Sequence, residues 1–235
     1  MIAILAAMNK ELSALLEAMT EVNTLEVASK TLHVGRLGGR FVVLAQSGIG
    51  KVNAAMTAAI VLSRYDCECL INTGVAGGIA PAQPGDLILA DRLVSFDTDV
   101  TAIDPELVYG QMYGEPAHFR SDPGLFQTAD RLLLHTGETF RSGTIASGDA
   151  FVTRLATLKN ILAVDPDIVA CDMEAQAVAQ AAHHFGVPFL LIRGVSDVVD
   201  AQDQAETYRG GVEAIARRTA AFVAAFVAQT PWKHS

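Results

Sequence analysis

The sequence predicts an α/β protein built on one mixed sheet flanked by helices. Two patterns carry that prediction. Short strand-like runs pair up early in the chain, and apolar runs of strand length then alternate with longer helical repeats. No low-complexity segment, internal repeat or linker divides the 235 residues. Residues 1–235 are therefore expected to form a single domain with volume for a real core.

The opening run Met1-Ile-Ala-Ile-Leu-Ala-Ala-Met8 is apolar, lacks a basic leader and meets charged residues at once. It reads as a first strand over 2–7, not a signal peptide. Helical spacing occupies 8–19, and strand-like runs follow at 24–28, 31–36 and 41–46. A helix is predicted over 51–64, then strands over 68–73, 86–90 and 92–96. From 97 to 121 no period survives. Pro105, Gly110, Gly114 and Pro116 punctuate a stretch of the length used for lids, binding loops or interface arms. Helices over 122–136, 153–162 and 173–184 alternate with strands over 140–146, 168–171 and 188–195. Within the last strand Phe189-Leu-Leu-Ile192 follows a Gly-Val-Pro breaker and has the short aliphatic-aromatic character of a buried parallel strand. A final helix over 206–229 spaces its Phe and Val residues amphipathically, and its apolar stretch is too short to span a membrane.

Composition narrows the function classes. A hydrophobic content of 51% with 18% charged residues argues against disorder. A formal charge of −9 and an isoelectric point near 5.0 argue against nucleic acid as a partner. Arg217-Arg218 is the only adjacent basic pair and reads as a solvated helix face. Cys67, Cys69 and Cys171 lack C-x-x-C spacing, so free thiols in a reducing cytoplasm fit better than disulfides or zinc. The six histidines show no ligand spacing, and His183-His184 reads as an exposed helix end.

Several unusual residues fall just after predicted strands: Glu11, Ser47-Gly-Ile-Gly-Lys51, Thr73-Gly-Val-Ala-Gly-Gly78, Ser147-Gly-Asp-Ala-Phe151 and Asp197. Ligands in open α/β sheets bind outside the carboxyl ends of strands, so a parallel arrangement would gather these segments at one mouth. Each also has a plainer reading. Glu11 suits the first turn of a helix through the macrodipole, and Glu174 stands at another helix start. Asp197 ends a strongly apolar strand, or simply caps the next segment. Met173 reads as partly core, and Tyr208 as an ordinary helix-start aromatic. Ser47-Gly-Ile-Gly-Lys51 fails the phosphate-loop pattern, since Ala45 stands at the required glycine and Val52 follows the lysine. It also fails the dinucleotide fingerprint, because Asn53 occupies the third glycine site. A tight strand-to-helix turn explains its glycines. The glycines at 74, 77 and 78 fit either a turn or a loop that contacts a ligand.

Taken together, these segments resemble the 5′-methylthioadenosine/S-adenosylhomocysteine nucleosidases of the nucleoside phosphorylase superfamily. The resemblance runs nearly end to end. It covers Ala7-Met-Asn-Lys-Glu11, Ser47-Gly-Ile-Gly-Lys-Val52, Ile71-Asn-Thr-Gly-Val-Ala-Gly-Gly78, Gly85-Asp86 and Asp99-Val-Thr-Ala102. It continues through Tyr109-Gly-Gln111, Ser147-Gly-Asp-Ala-Phe151, Asp172-Met-Glu-Ala175 and Arg193-Gly-Val-Ser-Asp197. It implies a three-layer α/β/α sandwich around a mixed twisted sheet, and irreversible hydrolysis of the N-glycosidic bond of a 5′-substituted adenosine. By motif position Asp197 is the acid that protonates adenine N7, helped by Ser196. Glu11, with Arg193 nearby, holds and activates the water. Glu174 binds the ribose hydroxyls and Met173 packs on the sugar. Phe151 stacks on adenine and Val152 offers its backbone to the base edge. Ile49, Val75, Ala76, Gly77 and Tyr208 complete the implied binding set, with Tyr208 near the position of an aromatic gate. The resemblance implies no cofactor, no metal, no covalent intermediate and a cytoplasmic homodimer whose pockets are completed across the interface.

This division of labour is physically consistent. Carboxyl groups with opposite proton tasks need environments that push them apart, as in glycosidases that place water between two acids. Departures from the family's pattern fall at Asn9-Lys10, at Val75 where some relatives carry Ser, and at 103–109, where aromatic residues are frequent in relatives. They leave the 5′-substituent open. The rival readings are a hydrolase mainly for aminodeoxyfutalosine or 5′-deoxyadenosine, a phosphate-dependent purine nucleoside phosphorylase, and a non-catalytic nucleoside binder. A phosphorylase needs arginines around the anion, and Arg36, Arg40 and Arg64 sit in no such motif. A mere binder would be expected to lack one of Glu11, Glu174 or Asp197, and all three are present.

Overall fold

The first strand predicted from the sequence forms β1 (Ile2–Ala6) and lies inside a ten-stranded mixed sheet. The computed structural model of the chain describes residues 1–232. After β1 come α1 (Asn9–Ala18), the strands β2 (Thr20–Val27), β3 (Lys30–Leu37) and β4 (Arg40–Gln46), and α2 (Lys51–Arg64). Next are β5 (Cys69–Gly78), β6 (Leu87–Ser95), the short β7 (Phe119–Arg120), α3 (Pro123–Thr136) and β8 (Phe140–Ser147). The chain ends with α4 (Lys159–Val164), β9 (Ile168–Asp172), α5 (Ala175–Phe185), β10 (Phe189–Val198) and α6 (Gln204–Gln229).

Alternation along β1 explains why its sequence is apolar throughout. Ala3 and Leu5 enter one core, beneath α2 and α5, while Ile2, Ile4 and Ala6 enter the other, beneath α1, α3 and α6. Phe189 and Leu191 of β10 share the first core, and Leu190 and Ile192 the second. A strand buried on both faces has no side left for polar residues. The result is the mixed sheet between helical layers expected from the sequence.

The sheet also does something the sequence did not disclose. β10 pairs parallel with β5 and antiparallel with β6, and β6, β8 and β9 lead back to β5. Five strands thereby close into a ring, and β1, β4, β3 and β2 extend from it as an open wing. β2 is exposed and polar, as befits a sheet edge.

Several boundaries differ from expectation for identifiable reasons. The runs at 86–90 and 92–96 are one strand, β6, whose pairing with β8 slips at Asp91 between Ala90 and Arg92; a bulge absorbs the polar step. The helix expected over 153–162 is a 3₁₀ turn, Leu155–Leu158, followed by α4. Thr73–Gly78 is neither turn nor loop but the end of β5, still paired with β10 and β9. Asp197 likewise lies inside β10 and not after it. By contrast, α3 keeps close to its expected bounds of 122–136, and local chemistry shows why: Asp122 accepts from the amides of Gly124 and Leu125, Pro123 opens the helix, and Gly137 closes it in the left-handed region. Among the described residues no helix is long and apolar enough to cross a membrane. His183 and His184 end α5 exposed, as expected, and Arg217 is solvated. Arg218 instead pairs with Glu138 and donates to the Gly85 carbonyl.

β10 and α6 touch at Gly194. A side-chain carbon there would stand 2.2 Å from Ile215 Cγ1 and 2.8 Å from Thr219 Oγ1. Gly194→Ala is expected to destabilise the fold by about 2 kcal/mol or more, lowering Tm by roughly 5–10 °C in a thermal melt.

Candidate active site

Glu11 sits in the first turn of α1, but it is not a solvated helix-start acid. Its Oε2 accepts from the Met8 amide at 2.8 Å, forming a capping-box contact, and its Oε1 accepts from the Val75 amide at 2.9 Å. It is only 3% exposed. The close approach of α1 to β5 requires a glycine at position 74, whose φ is 145°. A Cβ there would stand 2.5 Å from Glu11 Oε1 and 3.2 Å from Arg193 Nη1.

Arg193, on β10, is buried behind the cleft. Its Nε and Nη2 donate to Asp172 Oδ2 at 3.0 and 2.8 Å, and Nη2 also donates to Asn72 Oδ1 at 2.8 Å. Nη1 has no hydrogen-bond partner among the described residues. Asp172, at the end of β9, also accepts from Ser147 Oγ at 2.5 Å. Glu174, the residue before α5, reaches to within 4.0 Å of Arg193 Nη2 with Oε2 and accepts from the Gly50 amide at 3.0 Å with Oε1. The turn at 47–51 thus presents a backbone donor to a carboxylate. It runs from strand to helix, as its glycines imply.

The charges perturb one another. Burial, and then the nearby Asp172 charge, push the Glu174 carboxyl up to about 7; Arg193 and the Gly50 amide act against this. Burial raises Glu11 too, opposed by Arg193 and the amides of Met8 and Val75. Desolvation works against the Arg193 cation, yet Asp172, Glu174 and Glu11 together hold it protonated. The Tyr208 hydroxyl is raised by burial and by the surrounding Glu11, Asp197 and Glu174.

Asp197 pairs with Gly77 just past a bulge in the β5–β10 ladder and is 1% exposed. Ser196 Oγ donates to its Oδ1 at 2.6 Å, and Gln204 Nε2 donates to its Oδ2 at 2.8 Å. Beside it, Phe151 stays half exposed and meets Tyr208 edge-on, 5.5 Å between centroids and 66° between planes. The Tyr208 hydroxyl lies 3.6 Å from Met8 Sδ. The loop carrying Phe151 is tied down through Asp149, which accepts from the Lys51 amide and donates its own amide to Asp97.

One cleft of about 550 Å³, partly open to solvent, brings the predicted residues together. Glu11, Ile49, Val75, Ala76 and Gly77 line it with Phe151, Val152, Met173, Glu174, Ser196, Asp197 and Tyr208. Arg193 alone stays behind the wall. The ends of β1, β4, β5 and β10 arrive as parallel neighbours. β8 and β9 reach the same place because β9 pairs antiparallel with the last residues of β5.

Sequence reasoning gave no role to Asp172, Asn72 or Gln204. For Gln204 a signal existed: it stands four residues before Tyr208 and eight before Val212, a polar residue on the inward face of α6. Among the described residues no cluster of three or more His, Cys, Asp or Glu side chains has a geometry suited to a metal ion.

With this geometry in hand, comparison with known proteins is direct. The family model for the phosphorylase superfamily matches residues 1–228. The chain is 41% identical over 199 residues to the 5′-methylthioadenosine/S-adenosylhomocysteine nucleosidase of Anoxybacillus flavithermus, covering 84% of this chain and 85% of that protein. It is 36% identical over 230 residues to the enzyme of the same name from Tolumonas auensis, covering 97% and 99%. A crystal structure of the Neisseria meningitidis 5′-methylthioadenosine/S-adenosylhomocysteine nucleosidase, in complex with methylthio-immucillin-A, superposes with a TM-score of 0.92. Identity there is 34%, over 97% of this chain and 99% of that one.

The raised Glu174 carboxyl has a stability consequence. The folded state holds this proton more tightly than the unfolded chain does. The resulting stability is complete below about 4.5 and is lost as pH rises through about 7. Glu174→Gln cannot ionise and escapes that loss. Its Tm relative to the parent is expected to be higher at pH 8 than at pH 5, by an amount corresponding to on the order of 1–3 kcal/mol.

Proposed function

Because the chain belongs to the phosphorylase superfamily and, within it, to the 5′-methylthioadenosine/S-adenosylhomocysteine nucleosidases, we propose that its cleft hydrolyses the N-glycosidic bond of 5′-methylthioadenosine and S-adenosylhomocysteine. The products are adenine and the 5′-thioribose, and 5′-deoxyadenosine is a further expected substrate. One observation carries the assignment of roles. Asp197 is gripped by side-chain donors at one end of the cleft, whereas Glu11 and Glu174 are gripped by backbone amides at the other, around a buried arginine.

In this reading the purine lies against Phe151 and the Val152 backbone, and Asp197 delivers a proton to N7 as the C1′–N9 bond breaks. Adenine then leaves as a neutral molecule. The ribose becomes oxocarbenium-like, water adds to C1′, and Glu11 takes the water's proton. Arg193 Nη1 and Glu11 Oε1 both border the space that a side chain at position 74 would fill. A water bound in the cleft against these two groups would meet both a donor and a base. Glu174 accepts from the ribose hydroxyls, which satisfy a carboxylate that burial otherwise penalises. Met173 packs on the sugar, and Ile49, Val75, Ala76 and Gly77 shape the wall. Tyr208, beside Phe151, acts as the gate.

Water is favoured over phosphate as the nucleophile. Among the described residues no Lys or Arg lines the cleft, and Glu11 would repel an anion. Arg36 is engaged by Glu21 and lies over the Phe41 ring.

Val52 and Met56 on α2, with Ile103, Met112 and Tyr113 on the 97–121 arm, leave apolar side chains exposed that a homodimer would cover. Three buried free thiols suit the cytoplasm. The products suit methionine salvage, carried out by residues 1–235 as one domain.

Adenine release from methylthioadenosine in phosphate-free buffer is expected, with free methylthioribose as co-product and no acceleration on adding phosphate. Strictly phosphate-dependent turnover to a sugar 1-phosphate would overturn the role of Glu11. Gly74→Ala, which drives a methyl into the Glu11 carboxylate, is expected to lower kcat/KM by about 100-fold in the same assay.

A further inference from the structure

Gln204 is a buried amide at the cleft to which the mechanism above gives no part. It opens α6, is 5% exposed, and spends both N–H bonds of its carboxamide on the site. Nε2 donates to Asp197 Oδ2 and to the Val152 carbonyl, each at 2.8 Å. The orientation of the amide follows from its partners, since both accept and only the NH2 end can serve both. Its Oε1 is buried and has no partner among the described residues. The two donated bonds, both to residues that line the cleft, are what the glutamine supplies.

We propose that Gln204 is a positioning residue for the proton donor, holding Asp197 Oδ2 and the Val152 carbonyl at one fixed spacing so that acid and backbone meet the same purine edge. This rests on the reading of Asp197 as the acid. Ser196 grips Oδ1 from the same strand, so Gln204 is the grip that comes from another element. It ties β10 to α6 and to the segment after Phe151. The titratable groups nearest Asp197 are Cys171 on β9 and Tyr208 on α6, with Glu11 and Glu174 also lining the cleft. Among the described residues none of these hydrogen-bonds its carboxyl.

The test compares two leaving groups. Methylthioadenosine needs a proton on its purine, whereas the 4-nitrophenyl glycoside of 5-methylthioribose releases nitrophenolate without one. Gln204→Met is expected to lose about 10- to 100-fold more kcat on the nucleoside than on the glycoside, with little change in KM for either. Gln204→Glu keeps the shape but turns an oxygen toward Asp197, and the same selective loss is expected. Asp197→Asn, run in parallel, separates the two ideas. If Asp197→Asn loses the nucleoside but keeps the glycoside while both Gln204 variants lose the two substrates equally, Gln204 is structural and the proposal falls alone. Should Asp197→Asn retain full turnover of methylthioadenosine, the acid assignment fails and takes the proposal with it.

Discussion

The buried pair between Arg193 and Asp172 is the constraint on which the rest of this structure depends. A guanidinium at 1% exposure inside a sheet survives only if acids and acceptors surround it. Asp172 takes two of its N–H bonds and Asn72 another, which fixes the end of β9 against the interiors of β5 and β10. Such a pair contributes little net stability, but losing either partner would strand a charge in the core. Its return is geometric. With Nε and Nη2 engaged, Nη1 has no hydrogen-bond partner among the described residues and lies on the side of Gly74 and Glu11, while Glu174 stands 4.0 Å from Nη2.

That arrangement lets one positive charge moderate several acids at once. Glu11 and Glu174 are both pushed toward the protonated form by burial, and both are held back by Arg193 and by backbone amides. Beside the local Met8 amide, two of these amides come from parts of the chain far from the acids they serve: Val75 for Glu11 and Gly50 for Glu174. Positive φ at positions 50 and 74 is what allows the backbone to turn those donors inward. Ring closure of the sheet brings the ends of β8 and β9 to the same place as the parallel ends of β1, β4 and β5. Acids carried on elements of both directions thus share one cleft.

How much of this was legible in the sequence follows from the kind of signal each part leaves. β1 announced itself through its unbroken apolar run and α3 through its helical spacing over 122–136. The far end of β5 did not, because glycine-rich sequence looks like a turn until partners on both sides are known. Asp197 was recognised as unusual but placed beyond its strand, since the bulge beside it is a property of pairing and not of sequence. Glu11, Glu174 and Arg193 were reached through an ordered set of motifs, and the structure places them within a few ångströms of one another. Gln204 left only one mark, a polar residue on the inward face of an amphipathic helix, while Gln202 nearby is chemically identical. The helical spacing to Tyr208 and Val212 separates the two only once α6 is known to begin at Gln204 and not at the expected 206.

The placement of β10 has a further consequence. This strand, which carries Arg193, Ser196 and Asp197, is the last of the sheet to be synthesised, yet it is inserted between β5 and β6. As the chain leaves the ribosome, the facing edges of β5 and β6 have no permanent partner until residue 198 has emerged. Non-local pairing of this kind is slow and leaves unpaired backbone edges open in the interval. The nascent chain is thus open to sticking for as long as β10 is missing. The strand that closes the ring also carries Arg193, Ser196 and Asp197, so a chain without β10 has no partial activity to offer.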